Sequence, residues 1–284
     1  MRRQYLPCSR NDLMHGEYLR RWRLRDDGAP IATSGAWLQP VLTADGLPAM
    51  LRLARDCSGI ASAAAALDCW DGDGAVRLLA VDGHALLLER AVPGHTLCEL
   101  SFEGRDQQAT TALCSVAARL HRAGGTNTTG LIPLHHWFDA LLRPALPQRA
   151  LLRRCAALAR QLLAHPCEPV VLHGDLHHGN VLDGGRRGLL AIDPKGLYGD
   201  PAFDYTPLFL NPDLCFNGRR SARVAAHFDR RVAWVGQQAG IPEQRLLQWI
   251  AAGAGLSASW FLQDGVDADT RLAVAGLALS RLEA

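Results

Sequence analysis

The chain has 284 residues, which is enough for one large domain or for two modest ones that share a cleft. Hydrophobic residues make up 48% of it and charged residues 20%, which are the proportions of a globular protein and exclude a disordered one. The 30 basic and 28 acidic residues leave a formal net charge of +2, which argues against a dedicated nucleic-acid-binding protein.

The eight cysteines form no C-x-x-C pair, so a zinc knuckle or a thioredoxin-type motif is not expected. The N-terminal residues contain no apolar segment typical of a secretory signal. The longest uncharged run, residues 248–263, is too short and too rich in glycine and serine for a membrane span. We therefore expect a cytoplasmic monomer with free thiols that binds neither nucleic acid nor membrane.

Residues 1–20 are predicted to form a polar extension, and the elements that follow them indicate a small antiparallel sheet. Two Asp-Gly turns, at Asp45-Gly46 and Asp82-Gly83, each separate two apolar runs of the kind that forms a hairpin. The four runs are residues 36–43, 48–54, 75–81 and 85–89. An alanine-rich segment, residues 58–70, favours a helix between the hairpins. Residues 21–92 are therefore predicted to be a β-rich lobe with one helix.

The pattern changes after Pro93-Gly94, and residues 93–284 are predicted to be a larger, mainly helical lobe. Apolar residues recur at helical spacing in five segments. These are residues 107–121, 150–164, 221–239, 242–262 and 269–282. Two short strand-like runs, residues 170–172 and 189–192, interrupt the helical pattern. The predicted fold class is α+β, with a cleft between the two lobes.

The residues that carry chemistry follow these two short strands. His173-Gly174-Asp175-Leu176-His177-His178-Gly179-Asn180 comes after the first, and Asp193-Pro194 ends the second. Phosphoryl transfer uses such a set: one carboxylate orients the attacking hydroxyl, while an asparagine and a second carboxylate hold magnesium ions that bridge the phosphates. The Asp-x-x-x-x-Asn spacing equals that of the kinase catalytic loop. The sequence therefore predicts a kinase-type site.

The motif H-G-D-L-H-x-x-N followed by I-D-P resembles that of the aminoglycoside phosphotransferases, and within them the branch of the streptomycin 6-kinases and hydroxyurea kinases. Supporting stretches run from about Trp22 to the C-terminus. The resemblance implies a protein-kinase-like fold with ATP and Mg²⁺ in the cleft. It also implies transfer of the γ-phosphoryl group to a hydroxyl of a small cationic antibiotic. Streptomycin, phosphorylated at its 6-hydroxyl with resistance as the result, is the first expectation.

The same resemblance assigns roles to individual residues. Asp175 is expected to be the catalytic base, and Asn180 and Asp193 are expected to be the magnesium ligands. The backbone of Glu89 and Ala91, at the joint between the lobes, is expected to hydrogen-bond the adenine edge.

We expect three further residues to lie near the site without taking part in the reaction. His173 is expected to be structural within the catalytic loop, and Asp204 to brace that loop. Lys195, the only lysine of the chain, can reach the phosphates, but we expect it to face solvent near the mouth of the cleft.

The chain departs from the family pattern at the phosphate-binding position. Arg52 stands where the family has a lysine, and an arginine keeps the charge but is bulkier and forks differently. The glutamate that pairs with this lysine is expected near Gly59 or Ile60, where there is no acid; Asp56 is the nearest candidate. A kinase that binds nucleotide but turns over poorly therefore remains an alternative.

The acceptor pocket is the least defined part of the prediction. Streptomycin carries guanidinium groups, so its pocket should supply carboxylates. Asp264 and Asp213 are the candidates that we select from the acidic residues of the C-terminal half. Hydroxyurea, an amino sugar or a metabolite remain alternative acceptors.

Overall fold

The structure is a computed structural model that describes residues 10–33, 35–91, 97–125, 127–143, 150–212 and 220–284. Its N-terminal lobe, residues 10–91, contains α1 (Arg10–Arg21), β1 (Arg25–Asp26), β2 (Ile31–Ala32), β3 (Ala36–Leu42), β4 (Pro48–Ala54), α2 (Ile60–Trp70), β5 (Leu78–Asp82) and β6 (Ala85–Glu89). The strands form one antiparallel sheet with the order β1-β3-β4-β6-β5, and β2 pairs with β3.

Both predicted hairpins are present, with a glycine at positive φ in each turn. Gly46, at φ +77°, lies between β3 and β4, and Gly83, at φ +53°, lies between β5 and β6. These values are unstrained for glycine because it has no Cβ. The first turn joins β3 to β4, in whose register Arg52 lies opposite Leu38. On its other side, Arg52 lies opposite Leu86 of β6.

The third predicted strand begins later than expected. Ala75 and Val76 are buried, and their backbone pairs in the other lobe: Ala75 forms a parallel bridge with Ala191, and Val76 N donates to Ala191 O at 3.0 Å. Strand β5 therefore starts only at Leu78, because the preceding residues connect the two lobes.

A helix that the sequence did not predict lies within the expected extension. Helix α1 packs on the sheet through Tyr18, which is 6% exposed and whose hydroxyl donates to Asp82 O at 2.8 Å. Helix α1 thus contributes Tyr18 to the same small core as β4 and β6. The boundary predicted between residues 92 and 93 falls outside the described residues and stays a prediction.

The C-terminal lobe, residues 97–284, is mainly helical, as predicted. Its helices are α3 (Leu97–Phe102), α4 (Asp106–Ala123), α5 (Leu134–Trp137), α6 (Asp139–Leu142), α7 (Ala150–Ala164), α8 (Thr206–Phe209), α9 (Arg220–Ala239), α10 (Glu243–Gln263) and α11 (Asp269–Leu282). Helix α10 is buried through most of its length between α7 and α11, and Trp249 is fully buried. Within the described residues, every helix is too short or too polar to span a lipid bilayer.

Two small sheets lie at the cleft side of this lobe and carry the predicted site loops. Their strands are β7 (Ile132–Pro133), β8 (Val170–Leu172), β9 (Val181–Asp183), β10 (Leu189–Ala191) and β11 (Leu197–Gly199). Strand β9 pairs with β10 antiparallel, and β11 lies between β7 and β8. The loop after β8 and the loop after β10 therefore face each other below the N-terminal lobe.

Candidate active site

The catalytic loop between β8 and β9 is held by one buried carboxylate. Asp204 has no exposed surface, and it accepts hydrogen bonds from the backbone N–H groups of His173, at 2.9 Å, and Gly174, at 2.7 Å. Its Oδ2 also lies 3.0 Å from Nε2 of His121 on α4. Two loop amides that would otherwise be buried without partners are thereby satisfied, and the start of the loop is fixed.

His173 connects this loop to the end of β10. Its Nδ1 accepts from Asp175 N at 3.2 Å, so its Nε2 carries the hydrogen that is donated to Ile192 O at 2.9 Å. Burial lowers the pKa of His173, which favours this neutral form. The buried ring therefore holds Asp175 and Asp193 at one end of the cleft.

Asn180 and Asp193 lie side by side across the β9–β10 pair. Ile192 N donates to Asn180 O at 2.9 Å, and Asn180 Nδ2 donates to Asp175 O at 2.9 Å. The side-chain nitrogen of Asn180 is thus bound to the loop, and its Oδ1 is the atom left for a ligand. Asp193 has a left-handed backbone, with φ +55°, which is uncommon for a residue other than glycine.

Two cations hold the Asp193 carboxylate. Arg52 Nη2 lies 3.0 Å from its Oδ1, and Lys195 Nζ lies 3.1 Å from its Oδ2. Lys195 Nζ also lies 3.3 Å from Oδ2 of Asp175. The expectation that Lys195 faces solvent at the cleft mouth is thus wrong, because its ammonium group lies between the two carboxylates. The sequence signal that pointed inward was its position two residues after Asp193.

Asp56 does not take the place of the glutamate that pairs with the phosphate-binding residue in the family pattern, and α2 contacts the site in another way. Asp56 accepts from Ser58 N at 3.1 Å and caps the turn before α2, so it does not pair with Arg52. Instead, the hydroxyl of Ser62 on α2 donates to Lys195 O at 2.8 Å. Helix α2 is therefore connected directly to the segment after Asp193.

A cavity of about 630 Å³ lies between the sheet and the catalytic loop. Arg52, Glu89, Ala91, Asn180 and Asp193 all line it, as the sequence predicted for a nucleotide site. The other lining residues are Ile31, Thr33, Gly35, Ala36, Leu38, Met50, Arg90, Asp175, His177, Gly179, Leu182, Ile192 and Lys195.

Glu89 is fixed at the edge of this cavity by its own contacts. Its backbone N donates to Arg77 O at 2.9 Å, and its carboxylate accepts from Arg77 N at 3.0 Å and from the guanidinium of Arg187. Burial alone would raise the pKa of Glu89, but the hydrogen bonds from Arg187 and from the Arg77 N–H outweigh it, and the pKa is lowered. Glu89 is therefore ionised and rigid beside the cavity.

A second cavity, of about 300 Å³, lies on the other side of the catalytic loop. Aromatic side chains form much of its wall, and three residues, Asp175, His177 and Lys195, line both cavities. The remaining lining residues are Trp137, Gly174, Phe203, Thr206, Pro207, Leu210, Asn211, Gly253, Leu256, Ser257, Trp260, Phe261 and Arg271. The two cavities therefore adjoin at these three side chains.

Of the two acceptor candidates, the structure describes only Asp264, and it does not line this second cavity. Asp264 is exposed at the C-terminal end of α10, where its N–H donates to Trp260 O, and it lines neither cavity. Asp213 lies outside the described residues.

His177 is a site residue that the sequence reasoning did not select. Its Nδ1 accepts from Gly179 N at 3.1 Å, so in the neutral ring Nε2 carries the hydrogen, 3.8 Å from Asp175 Oδ1. Burial lowers its pKa and favours that neutral form. The second histidine of the H-G-D-L-H motif was the only signal available.

The oxygen donors of the site suit a hard divalent cation. The Asp193 carboxylate and the Asn180 Oδ1 are ligand types that Mg²⁺ prefers, and Mg²⁺ commonly takes only one or two protein ligands together with phosphate oxygens and water. Among the described residues, no cluster of three His, Cys, Asp or Glu side chains could hold a metal alone. The residues therefore fit a metal ion that arrives with a phosphate-bearing ligand.

The chain is similar in sequence to several known kinases. The sequence profile of the family described as aminoglycoside/hydroxyurea antibiotic resistance kinase matches residues 21–265. The streptomycin 3''-kinase of Klebsiella pneumoniae is 45% identical over 87% of this chain and 92% of its own length. The hydroxyurea phosphotransferase of Kitasatospora aureofaciens is 36% identical over 93% and 78%. The streptomycin 6-kinase of Streptomyces glaucescens is 33% identical over 88% and 82%.

Solved structures of other antibiotic kinases share the fold. An aminoglycoside phosphotransferase in a ternary complex with ADP and hygromycin B superposes with a TM-score of 0.65 at 13% identity, over 94% of this chain and 97% of that one. The amicoumacin kinase hAmiN, in complex with AMP-PNP, Ca²⁺ and Ami, superposes with a TM-score of 0.66 at 13% identity, over 97% of this chain and 94% of that one. These likenesses confirm the predicted protein-kinase-like fold. Because the family profile covers most of the chain, the chain belongs to the aminoglycoside/hydroxyurea antibiotic resistance kinases and is a phosphotransferase with a hydroxyl group as acceptor.

Proposed function

We propose that the chain is an ATP-dependent streptomycin kinase that confers resistance by phosphorylating a hydroxyl of the antibiotic. The observation that carries this proposal is the meeting of two cavities at Asp175, one suited to a nucleotide and the other to an acceptor. Streptomycin kinases are among the relatives that align over most of both chains. We expect this chain to act as a monomer in the cytoplasm.

In this proposal, Asp175 orients the acceptor hydroxyl. Asp175 lines the acceptor cavity, and the buried contacts of Asp204 and His173 fix the backbone from His173 to the N–H of Asp175. During transfer, the acceptor oxygen forms a bond to the γ-phosphorus while the bond from that phosphorus to the bridging oxygen breaks and ADP leaves. The hydroxyl proton passes to the Asp175 carboxylate.

The other predicted site residues line the nucleotide cavity. Asn180 and Asp193 would hold Mg²⁺, which neutralises phosphate charge when it is bound. The Arg52 guanidinium lies 3.0 Å from the Asp193 carboxylate. It is therefore within reach of the phosphate oxygens of a nucleotide whose Mg²⁺ would bind that carboxylate. The backbone of Glu89 and Ala91 borders the cavity at the joint between the lobes and would hydrogen-bond the adenine edge.

The acceptor cavity has aromatic faces that suit guanidinium groups. Trp137 and Trp260 meet edge to face with ring centroids 5.3 Å apart, and the Arg271 guanidinium already lies 4.1 Å from the centroid of Phe261. A cation over such a face gains about 0.5–2 kcal/mol. Asp175 is the one carboxylate among the described lining residues, so stacking carries much of the recognition that we expected from Asp264 and Asp213.

The decisive experiment replaces the proposed base. We expect Asp175→Ala to lower streptomycin-dependent ADP release by about 10²–10⁴-fold, because a positioned acid or base contributes that much, while ATP still raises the melting temperature. Expression of the native chain, but not of Asp175→Ala, should raise bacterial tolerance to streptomycin. Asp45→Ala, at an exposed hairpin tip, is the matched control and should behave as the native chain. Full turnover by Asp175→Ala would refute the assignment.

The position of transfer is read from the product. We expect phosphate at the 6-hydroxyl, and the 45% identical relative makes the 3''-hydroxyl the competing position. Two-dimensional ³¹P–¹H NMR of the purified product distinguishes them, because phosphorus couples to the proton of the modified carbon.

Hydroxyurea is the second candidate acceptor, since a hydroxyurea phosphotransferase is 36% identical to the chain. A cavity of about 300 Å³ is, however, large for a molecule of a few heavy atoms. Coupled ADP detection with both acceptors decides between them. A higher kcat/KM for hydroxyurea than for streptomycin would replace the proposed acceptor.

A further inference from the structure

Lys195 is the one described cation that contacts both carboxylates of the cleft. Its Nζ lies 3.3 Å from Asp175 Oδ2 and 3.1 Å from Asp193 Oδ2, whereas Arg52 contacts Asp193. It is also the one described cation that lines both cavities. Its ammonium group is therefore located at the passage where the two cavities adjoin.

The backbone of Lys195 is fixed from two sides. Its N–H donates to His173 O at 2.7 Å, within the catalytic loop, and its carbonyl accepts from Ser62 Oγ at 2.8 Å, on α2. The next residue, Gly196, has φ +68° and packs directly against the Ser62 carbonyl. The position of the side chain thus follows from both lobes and not from a free surface loop.

The charges around the passage explain why a cation is needed there. Asp175 and Asp193 converge on the same point, and a phosphoryl group that enters between them adds further negative charge. Two carboxylates without a cation would repel it. A lysine ammonium is a compact charge on a flexible stem, so it can remain near the carboxylates and still follow a moving oxygen.

We propose that Lys195 binds the transferring phosphoryl group of the nucleotide and stabilises it during passage to the acceptor, an inference that rests on the proposed kinase function. As the acceptor oxygen bonds to phosphorus and ADP leaves, Lys195 keeps its three hydrogens and donates to non-bridging oxygens. The proton of the acceptor still goes to Asp175. Lys195 and Arg52 together then supply the positive charge that the family pattern assigns to one lysine.

An acyl-phosphate derivative of ATP tests the location of Lys195 without any acceptor. Such a probe acylates an amine beside its terminal phosphate: an amide bond forms, the acyl–phosphate bond breaks and the nucleotide leaves. Because Lys195 is the only lysine, the α-amino group of the same chain is the internal reference. We expect acylation of Lys195 in the native protein, detected by peptide mass spectrometry, and loss of this label in excess ATP. Failure to label Lys195, or labelling that ATP does not reduce, would overturn the proposal.

Kinetics test the role. We expect Lys195→Met to lower kcat for streptomycin by about 10²–10³-fold, as for other groups that stabilise developing charge, with the KM for streptomycin changed by only a few-fold. Lys195→Arg, which keeps the charge, should recover part of the rate. Arg281→Met removes an exposed cation that pairs with Asp229 far from the cleft, and it should leave kcat unchanged.

Failure of the streptomycin assignment can be distinguished from failure of the proposal for Lys195. If streptomycin is not phosphorylated but ATP-protected acylation of Lys195 is seen, the acceptor assignment fails and the phosphate site stands. A Lys195→Met protein with native kcat overturns the proposal, whatever the label shows.

Discussion

Arg52 occupies the strand position at which the family pattern places a phosphate-binding lysine, and it has no acid on α2 as partner. The structure gives it a different partner, Asp193, at 3.0 Å across the cleft. A forked guanidinium can hold a carboxylate with one nitrogen and offer another to a phosphate. The arginine therefore remains consistent with an active kinase.

Two variants test whether Arg52 lowers the activity of the native chain. We expect Arg52→Lys, alone or with Gly59→Glu, to change kcat/KM by less than about tenfold, because charge is already present at the site. A Cβ at Gly59 would meet no atom within 4 Å, and its φ of −105° suits any residue, so the second substitution should fold normally. Steady-state ADP release measures the effect. A gain well above tenfold in the double variant would show that the native chain is a weakened enzyme.

At the level of single residues, the sequence could predict whatever one local motif contains. Asp175 and Asn180 share one loop, and Asp193 ends the strand that pairs beside it, so chain order alone brings these three together. The direction of Lys195 depends on contacts with Ser62 and His173, which are distant in sequence. Asp264 was selected for its negative charge, and the charge of a residue does not predict whether its side chain lines a cavity or is exposed elsewhere.

At the level of elements, helix α9 anchors the acceptor side of the site through one buried arginine. Arg231 is 1% exposed and donates to both carboxylate oxygens of Asp106 on α4, at 2.9 and 2.6 Å. It also donates to Leu208 O at 2.8 Å and Asn211 O at 2.7 Å, in the segment that borders the acceptor cavity. Burial alone would raise the pKa of Asp106, but Arg231 outweighs it and lowers the pKa to about 2.

Removal of this arginine leaves a buried charge without compensation. We expect Arg231→Met to lower the free energy of unfolding by about 3–5 kcal/mol, whereas Arg230→Met, at the exposed neighbouring position, should change it by less than about 0.5 kcal/mol. Urea unfolding followed by circular dichroism measures both. Equal effects of the two variants would contradict the idea that α9 is anchored through Arg231.

Helices such as α7 and α10 were predictable because apolar residues recur at helical spacing along the whole segment, and this pattern lies within the segment itself. The two-residue strands β1, β2 and β7 were not, since they exist only through pairing with distant residues. The same reason explains β5, whose start moved because Ala75 pairs with Ala191 in the other lobe.

At the level of the whole molecule, the lobes meet where chemistry is proposed. Helix α2 approaches the segment after Asp193 so closely that a Cβ on Gly196 would lie 1.8 Å from Ser62 O. Ala75 and Val76 pair with β10, and the Arg187 guanidinium binds Glu89 at the edge of the nucleotide cavity. The alignment of Arg52 with Asp193 therefore depends on close backbone contact between the lobes.

A matched pair of glycine substitutions isolates this contact. Gly196 and Gly240 both have positive φ, +68° and +65°, so alanine strains both backbones, by about 1 kcal/mol or more. A Cβ on Gly240, directly after α9, meets no atom within 4 Å, whereas one on Gly196 collides with α2. We expect Gly196→Ala to lower the melting temperature by several degrees more than Gly240→Ala, at about 2–4 °C per kcal/mol. It should also reduce kcat by at least about tenfold, because the displaced α2 moves Lys195 and Arg52 apart. Differential scanning calorimetry measures the melting temperature, and ADP release measures kcat. If the two variants are indistinguishable, the alignment of the lobes does not depend on this contact.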